Sequence, residues 1–82
     1  MNKNFDVIFF NDDVVISKKD DIIFFIKNNN KKLSINQSSV YSIIYKQSIL
    51  YIYDTYQPDP LTISDLFLND EEFYDIVIGI MC

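Results

Sequence analysis

The chain has no histidine, arginine, tryptophan or alanine, and only one glycine and one cysteine among its 82 residues. Without histidine there is neither an imidazole base nor the usual donor set for zinc. Cys82 alone closes no internal disulfide, and with no basic neighbour it has no cause for a lowered thiol pKa. Gly79 alone makes no glycine-rich phosphate loop, and no serine or cysteine elbow is present, so catalysis is not expected. The carboxylate pairs Asp12-Asp13 and Asp20-Asp21 and the run Asp70-Glu71-Glu72 lack the spacing of an EF-hand, and read as turns and a helix start. No metal and no cofactor is expected.

Positive charge is scarce as well. Seven lysines stand against twelve acids, for a net charge of −5, and the only basic pairs are Lys18-Lys19 and Lys31-Lys32. Nucleic-acid affinity is drawn from clustered cations that release counterions, so direct binding of nucleic acid is not expected. Apolar runs are short, the run Ile22 to Ile26 being five residues, against about 20 for a membrane-spanning helix and about 7–15 for the apolar stretch of a signal peptide. A soluble intracellular protein is the expectation, with no membrane partner.

Apolar residues are nevertheless abundant. They make up 49% of the chain, including 14 isoleucines and 13 phenylalanines and tyrosines. That is too hydrophobic for a disordered segment, and a single folded domain over residues 1–82 follows.

The pattern is one of strands and turns. Expected strands are Phe5 to Phe10, Val14 to Ser17, Ile22 to Lys27 and Lys32 to Ile35, separated by Asn11-Asp12-Asp13, Lys18 to Asp21 and Asn28-Asn29-Asn30. Two more are expected at Val40 to Tyr45 and Ile49 to Tyr53, around a turn at Lys46-Gln47-Ser48. Their valine, isoleucine, tyrosine and serine content suits a strand better than a helix. Gln57 to Pro60 is a loop and Leu61 to Ser64 a last short strand. From Asn69 the period becomes helical. Asn69 with Glu72 makes a capping box, and Phe73, Ile76, Val77, Ile80 and Met81 line one face, so a helix from Asp70 to Met81 is predicted. Gly79 inside it costs about 1 kcal/mol relative to alanine.

Seven strands followed by one capped helix resembles the element order of a pleckstrin-homology-like (PH-like) barrel, mainly β with a C-terminal helical cap. Within that superfamily the chain resembles the pICln family, chloride-conductance regulators that act as chaperones of Sm-protein assembly. The resemblance is carried by Asp13 to Ser17 leading to Ile22 to Phe25, by Lys32 to Val40, by Ile49 to Ile52 and Leu61 to Ile63, and by the closing helix ending on Met81-Cys82. It implies a cytoplasmic protein, with the nucleus as a second compartment, that binds Sm-fold proteins during spliceosomal snRNP assembly. It also implies that the fifth strand, with Ser39, Val40, Tyr41, Ser42 and Ile43, pairs edge-on with a strand of the Sm-fold partner.

The residues themselves leave room for two readings of that strand. The stretch Ser38 to Tyr45 lacks the charges and prolines that blunt an edge, which suits strand addition. It also reads as an ordinary interior strand with Val40, Ser42 and Ile44 facing the core. Phosphoinositide binding is not expected, because Asn11-Asp12-Asp13 occupies the loop that would grip phosphates. An alternative function is a small acidic inhibitor or adaptor of viral or mobile-element origin, acting by protein binding.

Overall fold

A computed structural model describes residues 6–28 and 31–82. It contains two antiparallel sheets and one helix. The first sheet runs in the order β1 (Asp6–Phe10), β2 (Val14–Lys19), β3 (Ile22–Lys27) and β4 (Lys31–Asn36). The second holds β5 (Val40–Lys46), β6 (Ile49–Asp54) and β7 (Leu61–Ile63), and α1 (Asp70–Met81) closes the chain. All strand neighbours are consecutive in sequence, and no ladder joins the two sheets among the described residues. The fold is therefore mainly β, with four strands and three strands facing each other; the sheets are not closed into one barrel.

Residue chemistry explains where the strands turn. Asp20 and Asp21 both adopt positive φ, as do Gln47 and Ser48. Two successive left-handed residues make the tight hairpin whose twist matches the strands it joins. Only those two residues are needed, so β2 extends through Lys19 and β3 begins at Ile22, and Lys18-Lys19, expected in the turn, belong to β2. At the first hairpin the Asn11 side-chain oxygen accepts from the N–H groups of Asp13 and Val14, at 2.8 and 2.9 Å. Asn28 has φ of 53°, while the rest of the expected Asn28 to Asn30 turn, like Phe5 at the expected start of β1, lies outside the described residues.

Twelve buried apolar residues form one core shared by both sheets and the helix: Ile16, Ile23 and Phe25 from the first sheet, Leu50 and Ile52 from the second, Ile76 and Ile80 from α1, with five others. Of the five apolar residues on the expected helix face, Ile76 and Ile80 are buried, and Phe73 packs partly against the core. Met81 is 45% exposed. The capping box forms as the sequence predicts: Glu72 N–H donates to Asn69 Oδ1 at 2.8 Å and Asn69 N–H to Glu72 Oε1 at 2.9 Å.

The helix lies against the first strand of each sheet. Near its end Gly79 sits over β1, where a Cβ would fall well inside van der Waals contact of Ile8 Cγ2 and 3.0 Å from Cγ1. Those atoms belong to the branched, stiff part of Ile8, so strand or helix would have to move. The glycine that looks costly by helix propensity is what allows this close approach. Gly79→Ala should lower stability by about 1–3 kcal/mol, as overpacking does, in place of the gain of about 1 kcal/mol that an open helix position would give. Urea denaturation checks the sign, and adding Ile8→Ala should remove the penalty specific to the alanine.

Candidate strand-docking edge

Two facing sheets of this kind leave four outer strands, β1, β4, β5 and β7, whose unpaired backbone groups can take a further strand. They are not equivalent. β7 has three residues, and β1 has five with a register shift between Val7 and Phe9 in its middle. β4 begins with Lys31 and Lys32, and across a groove of about 210 Å³ its Leu33 to Ile35 stretch faces Asp54, Gln57, Asp59 and Leu61. β5 is the longest at seven residues, and its only charge is Lys46 at the far end. Short length, lysine, bulges and a covering helix are the usual means of protecting an edge; β5 carries a bulge and has α1 packed beside it, but it has neither the short length of β7 nor the lysines that open β4.

The bulge in β5 decides which groups it presents. Val40 pairs with Asp54 and Ser42 with Tyr53, so Tyr41 is an extra residue opposite no separate partner. Beyond it the register is regular: Ile43 with Ile52, Ile44 with Tyr51, Tyr45 with Leu50 and Lys46 with Ile49. Lys46 and Ile49 flank a two-residue hairpin and so form its closing hydrogen-bonded pair. Alternation then points the backbone groups of Ser42, Ile44 and Lys46 at β6, and those of Ile43 and Tyr45 away from it. The opposite end of the strand agrees, since Thr55 N–H donates to the Ser39 carbonyl at 2.9 Å and one extra residue at Tyr41 brings the two ends into phase.

The same extra residue resets the side chains. The interior-strand reading placed Val40, Ser42 and Ile44 on the core face. Val40 is indeed buried, but beyond the bulge it is Ile43 and Tyr45 that pack on the core, and Ile44 is 43% exposed. Tyr41 is 62% exposed, with its ring centroid 6.0 Å from that of Tyr53.

Of the five residues expected to bind a partner, four lie on this strand and one does not. Ser39 belongs to a short 3₁₀ turn, Gln37–Ser39, and is buried. Its carbonyl already accepts from the backbone N–H and side-chain hydroxyl of Thr55. The strand thus starts at Val40, whose own N–H is taken by the Gln37 carbonyl. Val40, Tyr41, Ser42 and Ile43 lie on β5, and Tyr45, outside the expected set, carries the second outward-facing pair of backbone groups. Finding it requires the position of the bulge, which residue types alone do not give.

Tyr45 also anchors the wall beside the edge. Its hydroxyl donates to the Leu66 carbonyl at 2.7 Å and accepts from Leu68 N–H at 2.9 Å, and its ring stacks on Phe73 of α1 at 5.9 Å between centroids. At the other end of β5, Gln37 Nε2 donates to the Ile80 carbonyl at 2.9 Å. The helix therefore runs alongside β5, in the opposite sense, pinned at both ends. Tyr45→Phe strands two partly buried backbone groups and should cost about 1–3 kcal/mol. Thermal unfolding would read this as a fall of about 4–8 °C per kcal/mol in a domain of this size.

No helix among the described residues is long and apolar enough to cross a membrane. Comparison with protein-family models, with curated proteins and with solved structures finds no match to the chain.

Proposed function

We propose that this protein is a protein-binding assembly chaperone that holds an Sm-fold partner by adding one of the partner's strands to the β5 edge. The observation that carries the reading is the uncharged, proline-free edge from Ser42 to Tyr45, with the N–H and C=O groups of Ile43 and Tyr45 turned away from β6. Backbone hydrogen bonds would supply affinity, and alternate side chains, Tyr41 and Ile44 on the outer face, would supply selectivity.

The partner class comes from the resemblance to the pICln family. It is supported by the order of the fold, four strands, then three, then a helix set against the first strand of each sheet, which is the element order of a PH-like domain. Binding in this mode needs no catalytic group and no phosphate-gripping loop, in keeping with the acids in the β1–β2 hairpin. On this reading the protein works in the cytoplasm and nucleus, where Sm proteins are assembled.

The test is a direct titration of purified chain with isolated Sm-fold proteins, read by fluorescence anisotropy. Saturable binding that is lost when the β5 edge is blocked supports the proposal. Absence of binding to every Sm-fold protein of the source cell removes the partner assignment.

A further inference from the structure

The second half of α1 contains no polar side chain. Ile76, Val77, Ile78, Gly79, Ile80 and Met81 follow one another, so the helix is apolar on every side there. A helix packed on one face of a small domain normally carries polar residues on the other, and one that is apolar all round is normally buried all round. Ile76 and Ile80 are buried and Gly79 meets Ile8 of β1, yet Tyr74, Ile78 and Met81 are 64, 41 and 45% exposed. Spaced by four and then three residues, these three make one stripe along the side of the helix turned away from Ile76 and Ile80.

Backbone chemistry and charge narrow what can cover that stripe. The N–H and C=O groups along the middle of a helix are bonded within it, so an added strand would find no backbone partner here and would bury its own groups unpaired. A helix brings its own bonds. Glu71 and Asp75, one turn apart, run along one flank of the stripe, and Asp70 lies at its start. From Ser64 to Cys82 there are five acids and no lysine, since all seven lysines lie at or before Lys46. Set against Lys3 and the amino group, the positive charges outside the described residues, the segment is still negative. A second copy of α1 would bring the same sign to the contact, and an anionic lipid surface would be repelled. A basic helix is complementary.

We propose that the outer face of α1 docks an amphipathic helix of a partner protein. The partner's apolar residues cover Tyr74, Ile78 and Met81, and its lysines or arginines lie along Glu71 and Asp75. This surface is separate from the β5 edge, and the inference does not rest on strand pairing there.

The experiment titrates the whole ¹⁵N-labelled chain, at physiological salt, with a capped probe of leucine, alanine and lysine. The probe has about 18 residues, long enough to hold a helix by itself, with leucines three and four apart. A counterpart carries glutamate for each lysine. The lysine probe should shift the amides of Tyr74, Ile78 and Met81 saturably and bind at least about tenfold tighter than its counterpart. Ile78→Gln should weaken it about tenfold through the apolar surface lost, and Tyr74→Gln repeats the test at the most exposed of the three. Both leave Ile76 and Ile80 in the core, and circular dichroism checks the fold. Glu71→Gln with Asp75→Asn should weaken binding about fivefold, as loss of two exposed ion pairs would. Equal binding of the two probes, or shifts spread over the hairpin acids Asp12, Asp13, Asp20 and Asp21 in place of α1, overturns the proposal. So does self-association of the chain that Ile78→Gln abolishes, which gives the face to a second copy. Flotation on phosphatidylcholine vesicles that Ile78→Gln abolishes gives it to lipid and equally overturns the proposal.

Discussion

Ile76→Ala should cost about 2–5 kcal/mol, a large share of the roughly 5–15 kcal/mol that holds a small domain together. Ile76 is fully buried, and it and Ile80 are the two α1 residues in the shared core. Because no ladder joins the sheets among the described residues, side chains hold the two layers together, and α1 touches the first strand of each. A cavity at Ile76 therefore weakens the core that both sheets and the helix share. Ile76→Val, which removes one methyl, should cost only about 0.5–1.5 kcal/mol. Urea denaturation followed by circular dichroism separates the two, and an alanine variant as stable as the wild type would contradict the shared core.

Ile43→Pro should leave the domain folded and reduce Sm-fold binding by at least about a hundredfold. Proline removes one N–H and cannot continue a paired strand on that side. At Ile43 the lost N–H points away from β6, so the intramolecular ladder keeps its bonds. Ser42→Pro and Ile44→Pro lose N–H groups that point at β6, and both should unfold the second sheet by breaking pairs with Tyr53 and Tyr51. The contrast makes the result readable: circular dichroism should show Ile43→Pro near wild type and its two neighbours disordered. Folded Ile43→Pro that binds with unchanged affinity would show that β5 is not the interface. Single truncations such as Ile44→Ala should do far less, since main-chain bonds carry the pairing.

Much of this architecture is legible in the residues. Alternating β-branched and aromatic residues mark the strands, and Asn69 with Glu72 fixes the helix start to the residue. What is hidden follows from single-residue events. One extra residue at Tyr41 reverses the side-chain phase of β5, so that Ile43 and Tyr45 face inward where simple alternation predicts Ser42 and Ile44; a period of two carries no mark of such an insertion. Gly79 looks like a penalty until Ile8, some seventy residues away in sequence, is found against it. Tyr45 looks like one more strand aromatic, yet its hydroxyl holds the segment before α1 through Leu66 and Leu68. The uncharged edge itself is readable, because it depends on which residue types are absent between Ser38 and Tyr45. Its outward backbone groups are not, because they depend on the hairpin and the bulge.

The central claim is that β5 offers Ile43 and Tyr45 as backbone partners to an incoming strand, and amide hydrogen exchange measures this directly. In the free protein the amides of Ser42 and Ile44, bonded to β6, should exchange slowly, and those of Ile43 and Tyr45 faster. Adding a saturating Sm-fold protein should slow Ile43 and Tyr45 by at least about tenfold while leaving β2 and β3 unchanged. A complex that forms without slowing either amide would contradict the account.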